Sequence, residues 1–242
     1  MGDIMKICVI HGSPRKGNTF HSTEIFKKQM KKLGEVEFIE FFLYKDAPHF
    51  CSGCYNCFEK GEEFCPHANE IQPIIEAMRC SDGFVFTSPV YVLAETAQMK
   101  AFLDHLGYLF IPHRPMEEMF GKVAIVLSTT AGAGTSKAIK TISRSLNFWG
   151  VKRVYSLGLK MFALDWTEMN EKKRIKYEKL LASKARKFYY SVLKRKRMSF
   201  RLFTWVVFYA MKNMISKYPD EQLDKKYWTN MSWLDKRSPF NK

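Results

Sequence analysis

Residues 5–19 read Met5-Lys6-Ile7-Cys8-Val9-Ile10-His11-Gly12-Ser13-Pro14-Arg15-Lys16-Gly17-Asn18-Thr19. Residues 5–10 form a short apolar run, the pattern of a buried strand. Residues 11–18 are a loop of Gly, Ser, Pro and Asn. Residues 19–33 then have helical composition, ending at Gly34. A strand passing through a Gly- and hydroxyl-rich loop into a helix brings backbone amides and a helix dipole together, a setting that suits a phosphate dianion.

The same alternation repeats along the chain. Residues 36–42, 83–88, 122–129 and 153–161 read as further strands, and residues 70–79, 94–106 and 135–149 as helices. Residues 43–69 read as irregular. Apolar strands alternating with helices of this length indicate an α/β protein with a parallel sheet and right-handed crossovers. Five such strands fit a flavodoxin-like, doubly wound five-stranded parallel sheet of order 2-1-3-4-5. Ligands of such sheets bind outside the carboxyl ends of the strands, so the loops after strands one, three and four are where chemistry is expected.

The first loop lacks the Gly-Lys-Ser/Thr ending of a nucleoside-triphosphate loop, and it lacks G-x-G-x-x-G. A monophosphate fits it better. Residues 12–19 have the form Gly-Ser-x-x-x-Gly-Asn-Thr, residues 88–91 read Ser-Pro-Val-Tyr, and residues 129–134 read Thr-Thr-Ala-Gly-Ala-Gly. Together, in this order and at strand ends, these segments resemble the NADPH-dependent FMN reductase and iron–sulfur flavoprotein group. The resemblance covers residues 5–165. It implies that FMN is held by Ser13, Arg15, Gly17, Asn18 and Thr19 in the first loop. Pro89, Val90 and Tyr91 would stand beside the ring in the second. Thr130, Ala131, Gly132 and Gly134 would let the backbone approach it in the third. No catalytic acid or base is required, because flavin carries the hydride chemistry.

The resemblance also implies two-electron transfer from NAD(P)H to a quinone, nitro compound or other acceptor. The alternative is a non-enzymatic carrier passing electrons between partner proteins. The flavin edge of one small domain is open, and a homodimer is expected to close it.

Six cysteines are present, four of them as Cys51-x2-Cys54-x2-Cys57-x7-Cys65. The compact start resembles a [4Fe–4S] ligand set, although the last cysteine stands further off than in the short ferredoxin run. It also resembles the cluster loop of iron–sulfur flavoproteins. Structural zinc, with His49 or His67 as a ligand, and reduced cysteines packing a loop stay open beside it. Cys8 and Cys80 read as core residues, and His105 as structural. No G-x-S-x-G element is present, so hydrolysis has no support.

The N-terminal stretch has no basic start leading into a long apolar run, and a cytoplasmic location is the expectation. The chain carries a net charge of +15, placed unevenly. Residues 171–201 hold 13 Lys and Arg against two acidic residues, or +11 of that total. The organisation expected is a FMN-binding domain over residues 1–165 and a basic, aromatic helical extension over 166–242. The ten-residue apolar run 202–211 is too short to span a membrane. It suits a packed or dimer-forming helix best. Peripheral contact with an anionic membrane is a second use. Nucleic-acid binding has no recognised motif behind it.

Overall fold

The computed structural model describes residues 4–163 and 165–240. Residues 1–3, the start of the N-terminal stretch read above, lie outside the described residues. Five parallel strands, β1 (Met5–His11), β2 (Val36–Phe42), β3 (Gly83–Pro89), β4 (Val123–Thr130) and β5 (Arg153–Lys160), pair in the order 2-1-3-4-5. The helices are α1 (Asn18–Lys31), α2 (Leu43–Asp46), α3 (Asn56–Glu59), α4 (Ala68–Cys80), α5 (Ala97–His105), α6 (Thr135–Phe148), α7 (Glu171–Leu193), α8 (Leu202–Ile215) and α9 (Leu223–Asn230). The flavodoxin-like architecture expected from the alternation is therefore present, with helices following the last strand.

Side chains alternate across a strand, and here both sides are apolar. Met5, Ile7 and Val9 of β1, Val85 of β3 and Val123, Ile125 and Leu127 of β4 share one core with Phe26 and Met30 of α1 and Leu181, Ala185 and Phe188 of α7. Cys8, Ile10, Phe84, Phe86, Ala124 and Val126 face the other way, against Ile74 and Met78 of α4, Met99 and Phe102 of α5 and Ile142 and Leu146 of α6. Strands buried on both faces need near-continuous hydrophobic runs, which explains why they stood out in the sequence. The extension that begins at residue 166 thus contributes its first long helix to the core of the sheet. The remainder builds a third cluster, in which Ile111 and Phe120 meet Phe208, Ile215, Trp228 and Trp233.

Three local expectations need correction. The helix read over 94–106 starts at Ala97, because Tyr91 and Ala94 close a tight antiparallel bridge and the Thr96 side chain caps the helix by accepting from Met99 N. The segment read as irregular over 43–69 contains α2 and α3, and α4 begins inside it. Cys80 is exposed rather than a core residue. The buried positions of α4 are Ile71, Ile74, Ile75 and Met78, and 3.6-residue periodicity turns Cys80 outward at its last turn.

Candidate functional site: a cleft at the carboxyl edge and a cysteine cavity

The loops after β1, β3, β4 and β5 leave the sheet at its carboxyl edge and are tied to one another. Gly12 N donates to Thr87 O at 2.8 Å, Val90 N to Thr129 O at 2.8 Å, Met161 N to Thr130 O at 2.7 Å and Phe162 N to Ala131 O at 3.0 Å. They enclose a cleft lined by Ser13, Arg15, Gly17, Asn18, Thr19, Pro89, Val90, Tyr91, Thr130 and Ala131. Thr129, Met161 and Ala163 complete the lining.

Gly17 stands at the N-cap of α1 with no side-chain capping bond. The N-terminus of a helix, where backbone amides and the helix dipole point the same way, is a setting that suits an anion. The hydroxyls beside them are positioned by neighbours. Ser13 Oγ lies 3.1 Å from Tyr91 Oη and accepts from Arg15 N at 3.2 Å. Thr19 Oγ1 lies 2.6 Å from Thr129 Oγ1. Asn18 Nδ2 donates to the Ala163 carbonyl at 3.1 Å, joining the first loop to the last.

Gly132 and Gly134 stand apart from the cleft lining. A Cβ on Gly132 would meet nothing within 4 Å. Gly134 has φ of +101°, and a Cβ there would come within 2.6 Å of Val90 Cγ1 and 2.9 Å of Leu93 Cα. Its lack of a side chain is thus required by the backbone turn and by the loop after β3. That loop is itself strained: Val92 and Leu93 have φ of 47° and 62°, unusual for non-glycine residues. Val92 is 97% exposed, an apolar tip at the rim of the cleft.

Thr129, Met161 and Ala163 were missed. Thr129 stood inside a quoted motif. Met161 and Ala163 lie beyond β5, in a stretch that carries neither glycine nor hydroxyl to mark it. Their place is set by β5 lying next to β4.

Under the end of β1 a partly buried chain of polar side chains links two strands and a helix. His11 Nε2 contacts Glu40 Oε2 at 2.9 Å, and Lys27 of α1 also binds Glu40. Burial works to raise the Glu40 carboxyl, but hydrogen bonds and charges from His11 and Lys27 outweigh it and hold the group at about 2.

The loop after β2 brings its cysteines together. Cys51, Cys54, Cys57 and Cys65 line one cavity of about 280 Å³, with Tyr55, Phe58, Pro66, His67 and His105 among its walls. All four are free thiols. Burial raises the Cys57 and Cys65 thiols, and the other cysteines of the group raise them further. Burial pushes the His105 imidazole below its ordinary value, and its Nε2 lies 3.2 Å from the His49 carbonyl and its Nδ1 3.8 Å from Cys65 Sγ.

Among the described residues, the one group of three His, Cys, Asp or Glu donors close enough to share a single ion is His49, His67 and Glu70, within 4.8 Å of one another. The four thiols converge on a common space but are not drawn together around a single-ion centre. Four cysteines around one space are the donor chemistry of an iron–sulfur cluster and also of a structural zinc site, so the residues present fit either group.

A parallel sheet of order 2-1-3-4-5 with a cleft at its carboxyl edge defines a flavodoxin-like protein. Residues 5–161 match the NADPH-dependent FMN reductase family, and the chain belongs to it. It is thus an FMN-dependent oxidoreductase with a nicotinamide as electron donor.

Among curated proteins, an iron–sulfur flavoprotein of Archaeoglobus fulgidus is 34% identical over 158 residues, covering 64% of this chain and 68% of that one. An iron–sulfur flavoprotein of Clostridioides difficile is 30% identical over 196 residues, covering 79% and 81%. Among solved structures, an azoreductase from Bacillus anthracis superposes with a TM-score of 0.59 at 17% identity, covering 76% of this chain and all of that one. An NAD(P)H:quinone oxidoreductase from Methanothermobacter marburgensis gives a TM-score of 0.57 at 16% identity, covering 76% and 96%. Among the described residues, no helix is long and apolar enough to cross a membrane.

Proposed function

We propose that this protein takes electrons from NAD(P)H onto FMN held in the carboxyl-edge cleft and passes them to a small quinone- or nitro-type acceptor. The observation that carries the reading is the convergence of the loops after β1, β3 and β4 on one cleft, at the N-terminus of α1. FMN bound there would supply a ring able to accept a hydride and release electrons singly or in pairs.

The protein's own residues bind and orient. Ser13, Thr19 and the positive end of the α1 dipole hold the phosphate, with Arg15 adding positive charge. Tyr91, tied to Ser13, and the 90–93 loop bound one side of the ring site. The exposed apolar tip of that loop supports a homodimer in which a second copy covers the flavin edge. Sedimentation showing only monomer at micromolar concentration would overturn that last point.

A second reading is supported by the cysteine cavity. Cys51, Cys54, Cys57 and Cys65 would hold a [4Fe–4S] cluster, a one-electron store. The cysteine loop leaves the same edge of the sheet as the flavin loops, which favours electron passage to a protein acceptor. Anaerobically purified protein tests both readings. Flavin bands in the absorption spectrum with sustained NAD(P)H oxidation support the enzyme. Iron and sulfide together with slow turnover until a partner protein is added support the carrier. A preparation with neither flavin nor nicotinamide oxidation overturns both.

A further inference from the structure

From Lys179 to Pro219 the chain carries 11 Lys and Arg and no Asp or Glu. The middle of this stretch is also where apolar side chains point outward. Helix α8 buries Thr204, Phe208 and Ile215 on its inner side. Its other side presents Leu202, Trp205 and Val206, which are 75%, 48% and 49% exposed. These positions and Tyr209 follow i, i+3, i+4, i+7 spacing, so they form one stripe. Tyr209 packs against Trp205 with ring centroids 4.8 Å apart. Leu193, at the end of α7, is exposed as well.

The cations lie beside this stripe. Lys194, Lys196 and Arg197 are exposed in the turn between α7 and α8, and no carboxylate pairs with them among the described residues. Two neighbours anchor the turn rather than face outward. Arg195 binds Asp82, and Arg201 binds the Asn147 side chain.

We propose that this face docks the protein on an anionic lipid bilayer, with Leu202, Trp205 and Val206 entering the headgroup boundary and Lys194, Lys196 and Arg197 meeting lipid phosphates. An apolar helix stripe bordered by cations, with Trp and Tyr at the boundary, is what an interfacial helix requires. Charge argues against a second copy as the occupant. A two-fold interface sets the same patch against itself, and here both sides would be cationic with no acid between them. It argues less strongly against nucleic acid, but aliphatic Leu202 and Val206 at the centre offer nothing to a phosphate or a base.

The face also lies at the edge of the sheet opposite to the cleft. Arg195 pairs with Asp82 immediately before β3, and Lys152, immediately before β5, donates to the Arg195 carbonyl at 3.0 Å. A docked molecule would therefore keep the carboxyl-edge cleft clear of the lipid. The inference needs no assumption about the electron acceptor.

The test uses the full chain with its flavin and vesicles of equal parts phosphatidylglycerol and phosphatidylcholine, compared with phosphatidylcholine alone. The protein should co-sediment with the anionic vesicles only, and its tryptophan emission should shift to the blue. Leu202→Ser with Trp205→Ser should abolish the shift. Lys196→Glu with Arg197→Glu should weaken binding about tenfold or more, since each cation near a charged surface matters by roughly 1 kcal/mol. Both variants should keep the far-UV spectrum and the bound flavin. Absence of sedimentation with anionic vesicles at low ionic strength overturns the proposal. Dimerisation that the Leu202/Trp205 variant abolishes, without vesicle binding, overturns it in favour of a second copy. Tighter binding to a single-stranded oligonucleotide, indifferent to that variant, overturns it in favour of nucleic acid.

Discussion

Arg114 donates to Asp224 Oδ1 at 2.8 Å across 110 residues of sequence, and the same guanidinium reaches the Cys57 carbonyl and Glu62. Arg114 is only 6% exposed. A residue of the C-terminal extension is thereby fixed to the cysteine loop through one buried cation. His113 adds a second contact to Asp224 at 2.8 Å, and Trp228 Nε1 donates to the His113 carbonyl at 2.6 Å.

Removing Asp224 leaves that cation with one carboxylate in a mostly dry position. Breaking a buried pair in this way costs about 3 kcal/mol or more. Asp224→Ala should lower the urea midpoint accordingly, and the cysteine loop should become more open to thiol reagents. An unchanged midpoint would show that Glu62 and the Cys57 carbonyl suffice to hold Arg114.

The first-loop hydroxyls should discriminate by cofactor phosphate. FMN, not FAD, is expected to co-purify, because one phosphate loop is present and no adenine-binding fingerprint. Hydrogen bonds to a charged group contribute about 1.5–3 kcal/mol each. Ser13→Ala with Thr19→Val should therefore weaken FMN at least about tenfold, measured by fluorescence titration. Chromatographic identification of the released flavin as FAD would sink this.

The two glycines of the third loop should behave differently. Gly134→Ala places a Cβ in the left-handed region and against Leu93, and should cost about 1–3 kcal/mol of stability. Gly132→Val meets open space and should leave the melting temperature unchanged. Its FMN affinity then reports directly on whether the backbone there lies against the ring. Undiminished affinity would remove Gly132 from the flavin site.

Acid should act through Glu40. Its carboxyl is held at about 2 in the folded protein against an ordinary 4.5. A carboxylate depressed by folding stabilises above its unfolded value, and that contribution is lost as pH falls from about 4.5 towards about 2. Glu40→Gln should flatten the pH dependence of unfolding in this window relative to the parent chain. Equal slopes for the two proteins would refute the assignment.

The cysteine cavity gives a stoichiometric outcome. With a [4Fe–4S] cluster, iron and sulfide should each approach four per chain. Cys54→Ser should make iron labile while FMN stays bound, because the flavin loops are separate from this loop. Four titratable thiols without iron would leave the cavity as a packed loop, and one zinc without sulfide would assign it to zinc.

The sheet was legible because its three central strands, β1, β3 and β4, are buried on two faces, so apolar runs such as those at 5–10 and 83–88 carry the signal locally. The first loop stood out for a related reason: its glycine and hydroxyl residues fall close together, between a strand and a helix. Cys80 was misread because its helix has only four buried positions, and one residue of phase decides whether it faces in or out.

By itself, then, the sequence determined the strand order class, the strand–loop–helix at residues 5–19 and the grouping of four cysteines, all properties of neighbours in the chain. The tertiary structure alone decided that Met161 and Ala163 complete the cleft, that Gly134 serves the turn rather than its lining, and that Arg114 joins the cysteine loop to Asp224. These relations depend on which segments pack side by side. Packing is set by the summed burial of distant residues, which no local pattern records.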